Sequence, residues 1–217
     1  LKTATVSANL EAGITALDMF ELLQMMLDEK QVHWPVGYQY DFGGEYEASV
    51  EGNRSIGEKL PIAGLIIVLL LVGQFNSLRR PLIILLTIPL GFIGVVIGLL
   101  VAGSYFGFIT LLGVISLAGI VINNGIVLLD RINLEIENGV GPAQAVLEAC
   151  QRRVRPILLT TCTTVGGMLP LWYGGGPMFE PMAIAIIFGL SFATLLTLVF
   201  VPVMYALFFG LSFKEIT

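Results

Sequence analysis

The stretch FITLLGVISLAGIVINNGIVLLD, Phe108 to Asp130, carries no charge before its last residue. A helix rises about 1.5 Å per residue, so a run of this length crosses a hydrocarbon core about 30 Å thick. Two adjacent amides, Asn123 and Asn124, interrupt it. Amides are costly in lipid, so they mark a face of the helix that meets something other than acyl chains.

The pattern recurs at about 58–77, 81–103, 155–174 and 181–210. The last run is longer than a bilayer requires and reads as tilted or extending beyond it. Hydrophobic residues make up 56% of the 217-residue chain, charged residues only 12%, and the mean hydropathy is +0.88. A soluble domain carries about twice that charge fraction. The expectation is a mainly α membrane protein with five transmembrane helices over 56–212.

Residues 1–55 read as soluble. TATVSANL alternates like a strand, Leu17, Phe20, Leu23 and Leu27 recur at helical spacing, and PVGYQYDFGGE reads as a turn and second strand. This predicts a β-α-β segment too small to bury a core alone. The chain opens without Met or a signal pattern and reads as a piece of something longer. The formal charge of −5 is concentrated in this acidic segment, and nothing in it suits nucleic acid.

Arginines set the orientation. Arg79 and Arg80 follow the first run, Arg131 to Arg155 join the third and fourth, and Lys214 follows the fifth. The loops GSYFGF and YGGGPMFEP have no Lys or Arg. The positive-inside rule then puts the arginine loops and the C-terminus in the cytoplasm and the N-terminal segment outside. Pro142, Ala145, Val146 and Ala149 predict a short interfacial helix over 141–152 on the cytoplasmic side.

On helix three, Ser116, Gly119, Asn123 and Asp130 share a face, and on helix four Arg153, Ile157, Thr160, Thr164 and Gly167 do so. Two readings stay open from spacing alone: amides as glue between helices, or members of an ion path. Thr161, Thr163 and Thr164 read as packing residues that bond their own backbone. Asp130 reads first as an interfacial carboxylate pairing Arg131 or an arginine of the next helix. Gly91, Gly94 and Gly98 offer a small-residue packing face, with Pro89 a kink and Pro156 in the first turn of helix four. Cys150 and Cys162 read as unpaired thiols and His33 as a surface residue. No nucleophile–base pair, phosphate loop or metal-ligand spacing occurs, so no cofactor is expected and catalysis has no support.

Four strings, GQFNSLRRPLIILLTIPLGFIGVVIGLL, GVISLAGIVINNGIVLLDRI, AVLEACQRRVRPILLTTCTT and PMAIAIIFGLSFATLLTLVFVPVMYALF, resemble the C-terminal end of the resistance–nodulation–division efflux transporters, in that family's order. The resemblance points to the hydrophobe/amphiphile, acriflavine-resistance-type branch. It implies that the soluble segment ends the periplasmic porter region. The five runs would be helices eight to twelve of a twelve-helix protein in the bacterial inner membrane.

The expected partners are lipid, the missing N-terminal part of the same transporter, two further copies in a homotrimer, a periplasmic adaptor and an outer-membrane channel. The expected activity is proton antiport of small amphiphilic substrates. Asn123 stands where the drug-pump branch often has lysine, Asn124 matches the asparagine after it, and Arg153 and Thr160 match the relay's arginine and threonine. With Asp130 these are the proton-relay candidates, although asparagine can hydrogen-bond but cannot titrate. The alternatives are a non-pumping scaffold subunit or a relative serving protein or lipid export.

Overall fold

The computed structural model describes residues 3–8, 16–35 and 37–211, which form seven helices and, among them, no strand. They are α1 (Ala16–Gln31), α2 (Glu45–Phe75), α3 (Arg79–Leu85), α4 (Thr87–Ala102), α5 (Phe108–Glu137), α6 (Pro142–Gly174) and α7 (Gly176–Phe209). The chain divides into two compact units, Leu1–Pro61 and Ile62–Thr217.

In the first unit the predicted helix is present as α1, but the flanking strands are not. Residues 3–8 and 37–43 form no ladder, while parts of both predicted strands (9–10 and 36) lie outside the described residues. An extended segment needs a partner for its N–H and C=O groups, and among the described residues none is present. Aromatic rings hold the unit instead. Phe20 stacks on Tyr46 at 3.7 Å between centroids and meets Phe42 edge-on at 4.7 Å, and Tyr40 donates a hydrogen bond to Asp28. Helix α2 starts at Glu45, well before the apolar run at 58. Its polar early turns carry an Arg54–Glu58 pair at 3.1 Å, the spacing that supports an exposed helix.

The second unit is built around α7, which packs against α3, α4, α5 and α6. Its inward positions are small or β-branched: Ala183, Ile184, Ala185, Ile187, Gly189, Ala193, Thr197 and Val201 are all buried. Small residues let neighbouring helices approach closely where lipid offers no hydrophobic drive between them. A glycine in the left-handed region ends α4 (Gly103, φ 65°), the α5 turn (Gly139, φ 88°) and α7 (Gly210, φ 63°). The break between α3 and α4 falls at Leu86, in the turn before Pro89, which has no N–H for the Leu85 carbonyl. Thr87 Oγ1 donates to the Ile84 carbonyl across that break at 2.5 Å.

Among the described residues, four helical segments are long and apolar enough to cross a membrane: Tyr46–Phe75, Arg79–Ala102, Phe108–Glu137 and Gly176–Phe209. The expected five become four on this measure, because α6 is not among them. Thr160, Thr161, Thr163 and Thr164, with Pro156 and Pro170, dilute its apolar content. The expected interfacial helix over 141–152 is not separate either; it is continuous with the 155–174 run as one helix of 33 residues. Pro142 takes the first-turn position expected for Pro156, and Pro156 lies inside the helix. The carbonyl four residues before it belongs to Arg152, whose side chain is exposed, so water can satisfy what the proline cannot.

Candidate functional site

Helix α5 has two unlike faces. Val121, Gly125, Leu128, Leu129 and Ile132 are buried against the rest of the unit, whereas Ser116, Gly119, Asn123 and Asp130 are exposed. Ser116 spends its hydroxyl on the Leu112 carbonyl at 2.9 Å. Asn124, one step round the helix, is half-buried. No side-chain hydrogen bond joins Asn123 or Asn124 to another described residue.

Helix α6 repeats the arrangement. Ile157 and Thr161 are buried, and Thr160, Thr163 and Gly167 are exposed. Thr160 Oγ1 donates to the Ile157 carbonyl, and Thr163 and Thr164 both donate to the Thr160 carbonyl, each at 2.9 Å. Thr161 departs from the expected self-bonding. Its hydroxyl meets that of Thr194 on α7 at 2.9 Å, the one hydroxyl–hydroxyl bridge between helices among the described residues. Arg153 is half-buried; its Nε is shielded from solvent and has no hydrogen-bond partner, and it makes no ion pair with a described acid.

Asp130 does not pair with an arginine among the described residues. Arg131 turns one helical turn onward to Glu135, and Arg152 of α6 reaches the same carboxylate at 3.4 Å and Glu148 at 3.6 Å. Asp130 instead borders a cavity of about 340 Å³ with Gln74, Asn76, Arg80, Asn133 and Glu137. The sequence reading missed Glu135, which is 4% exposed, because it lies past the apolar run. The i, i+4 spacing of Arg131 and Glu135 was the available signal.

Arg79 and Arg80 serve helix ends. Arg79 Nη1 donates to the Phe208 carbonyl near the end of α7, and Arg80 Nη1 to the Phe75 carbonyl at the end of α2. Cations at helix C-termini are favourable on both hydrogen-bond and dipole grounds. At the other end of the bundle the Tyr105 hydroxyl donates to the Pro177 carbonyl, joining the α4–α5 loop to the start of α7.

The glycines differ. A Cβ on Gly94 would lie 2.6 Å from Phe192 Cβ and 2.9 Å from the Phe188 carbonyl oxygen, and one on Gly98 would collide with Phe188. One on Gly91 would make ordinary contacts at 3.6–3.7 Å, and at Gly119 and Gly167 it would meet nothing within 4 Å. Gly113, Gly125 and Gly189 are close-approach positions that spacing did not single out.

Over residues 1–209 the chain matches the AcrB/AcrD/AcrF family, and it belongs to that family of membrane transporters. It is 32% identical over 208 residues to an uncharacterized transporter of Haemophilus influenzae, covering 91% of this chain and 20% of the relative. It is 35% identical over 171 residues to the swarming motility protein SwrC of Bacillus subtilis (77% and 16%). It is 29% identical over 172 residues to the nickel and cobalt resistance protein CnrA of Cupriavidus metallidurans (78% and 16%). Among solved structures, a heavy metal efflux pump superposes with a TM-score of 0.71 at 27% identity, over 90% of this chain and 20% of that one. The chain therefore spans about a fifth or less of the relatives it matches.

Proposed function

We propose that this chain supplies the C-terminal membrane helices of a proton-driven efflux transporter, exporting amphiphilic compounds from the bacterial inner membrane as one protomer of a trimer with an adaptor and an outer-membrane channel. The observation that carries the reading is the uncovered polar surface of α5 and α6. Asn123 and Thr160 are exposed on helices whose opposite faces are packed, and Arg153 holds a shielded Nε without a partner. Arg80 and Arg131 share such an Nε but bond through their Nη atoms, whereas Arg153 has no described acceptor at all. An unmet buried donor costs of order 1–3 kcal/mol, and a carboxylate from another part of the transporter would give this guanidinium its partner. Protonation of that carboxylate would weaken its hold on Arg153 and release α6 to move. Asn123 and Asn124 can follow the change by rearranging hydrogen bonds, but they carry no proton.

The fifth crossing belongs to this proposal. Arg152 of α6 pairs at the arginine-rich end of the bundle, and Gly174 leads through Gly175 into α7 at the end where Tyr105 holds Pro177. The residues from Arg155 to Gly174 rise about 30 Å between those ends, enough to cross the hydrocarbon core. On this view the arginine-rich end is cytoplasmic.

A second substrate class, divalent transition-metal cations, is favoured by the likeness to CnrA and to the heavy metal efflux pump. One experiment addresses both. In a full-length transporter carrying this sequence, Arg153→Ala is expected to reduce proton-driven efflux at least about tenfold at unchanged membrane abundance. Assays with ethidium and with nickel ions report which class is carried. Undiminished efflux of the carried substrate would remove Arg153 from the coupling.

A further inference from the structure

We propose that Glu135 is a positioning residue: it fixes the rotation of α6 about its own axis and thereby aims Arg153. The inference rests on the role given to Arg153 above.

The joint between α5 and α6 is held twice by this one residue. Its main-chain carbonyl accepts from the Val140 N–H at 3.1 Å, while the Gly139 N–H donates to the Ile136 carbonyl at 3.0 Å with Gly139 at φ 88°. That pair of bonds is the Schellman closure of a helix end. Two residues later Pro142 starts α6 with its φ already helical. The short link leaves α6 few ways to leave α5, but backbone closure alone does not set the turn of α6 about its axis.

The buried Ala145, Val146, Ala149 and Ile157 seat α6 on its neighbours, and the side chain of Glu135 adds the charged anchor at the joint. Its carboxylate is 5% exposed and receives Arg131 from its own helix and Arg152 from α6. Arg131 is itself only 20% exposed and orients the carboxylate from below, while Glu148 holds the other side of the Arg152 guanidinium. Adjacent residues on a helix point about 100° apart. With Arg152 drawn to Glu135, Arg153 is turned by that angle away from its neighbour, and no described acid pairs with it. The two neighbouring arginines thus have different work: one is paired at the joint, and the other is half-buried and without a described acid. The anchor is part of this chain, so it persists whatever partner Arg153 meets.

The test uses the full-length transporter in membrane vesicles with Glu135→Gln, Glu135→Asp and Arg152→Gln. Separately, Arg153→Cys is made in a Cys150→Ala, Cys162→Ala background and its alkylation by N-ethylmaleimide is timed with and without Glu135→Gln or Arg152→Gln. Loss of the anchor is expected to change the labelling rate at position 153 at least about threefold. The maximal efflux rate of ethidium or nickel should fall about fivefold while the KM stays within about twofold, with Glu135→Asp retaining most of the rate.

Arg152→Gln leaves the Arg131–Glu135 pair intact, so it answers the question if Glu135→Gln fails to accumulate. Unchanged labelling in both backgrounds overturns the positioning role, as does a full efflux rate in both. Full efflux in Arg153→Ala overturns the coupling reading instead, and the labelling arm still decides whether Glu135 sets the helix rotation.

Discussion

Cys150 shows how placement decides the chemistry of a single side chain. It sits half-buried in α6 among the residues packed on the α5 and α7 core, and burial pushes its thiol from 9.0 up to about 11. A raised pKa leaves the thiol protonated below that value, so the nucleophilic thiolate is scarce at physiological pH. At pH 8, alkylation of Cys150 is expected to run about tenfold slower than that of a thiol at 9.0, since its scarcer thiolate is also more nucleophilic, and to climb about tenfold per pH unit up to pH 10. A rate profile in a Cys162→Ser background checks this; a plateau below pH 9.5 would contradict it. Glu135 and Asp130 make the same point about acids. Asp130 looked like the arginine partner because Arg131 follows it, yet side chains one apart on a helix diverge while those four apart meet.

Among the elements, the α4–α7 contact is the most sensitive to volume. Gly94 and Gly98 let the Phe188–Phe192 turn of α7 lie against the α4 backbone, and Gly91 sits one turn earlier, where a Cβ would just meet its neighbours at ordinary contact. Gly94→Ala is expected to destabilise the purified full-length protein by about 1–3 kcal/mol, the cost of overpacking a filled interior. Gly91→Ala should be neutral within about 0.5 kcal/mol, since its Cβ would meet only ordinary contacts. Thermal unfolding in detergent compares the two, and equal shifts would refute the packing account. The glycine run was legible in the sequence as a small-residue face. Which glycine touches what was not, because spacing places residues on a helix face but does not say how close the neighbour comes. Gly113 and Gly189, on other helices, bear similar contacts that no repeat announces.

For the whole molecule, α6 decides the number of crossings. If α6 spans, the Asn138–Gly141 turn and the Gly174–Gly176 turn lie on opposite sides of the membrane. Single cysteines at Asn138 and Gly175 in the full-length protein should then label from opposite sides with an impermeant maleimide. Labelling from one side would leave four crossings. The apolar runs, the arginine-rich loops and the family's four strings were readable without a structure, because lipid imposes composition and length on any segment that spans it. Of the β-α-β expectation the helix is present and the strands are not, for the complementary reason: alternation signals a strand only where a partner exists, and among the described residues none is present.

The sequence by itself determined that this is a membrane protein of the AcrB/AcrD/AcrF family and where its apolar helices run, since both are one-dimensional properties of residue order. Only the tertiary structure decided the rest. It made α6 one continuous helix, gave Arg152 to Glu135 rather than to Asp130, turned the Thr160 hydroxyl back to its own helix, and left the side chain of Asn123 and the shielded Nε of Arg153 without hydrogen-bond partners among the described residues. Those outcomes depend on which helices touch and at what rotation. Helical periodicity fixes a residue's face relative to its own axis, and only contacts between helices, packed or ion-paired, fix that axis relative to its neighbours.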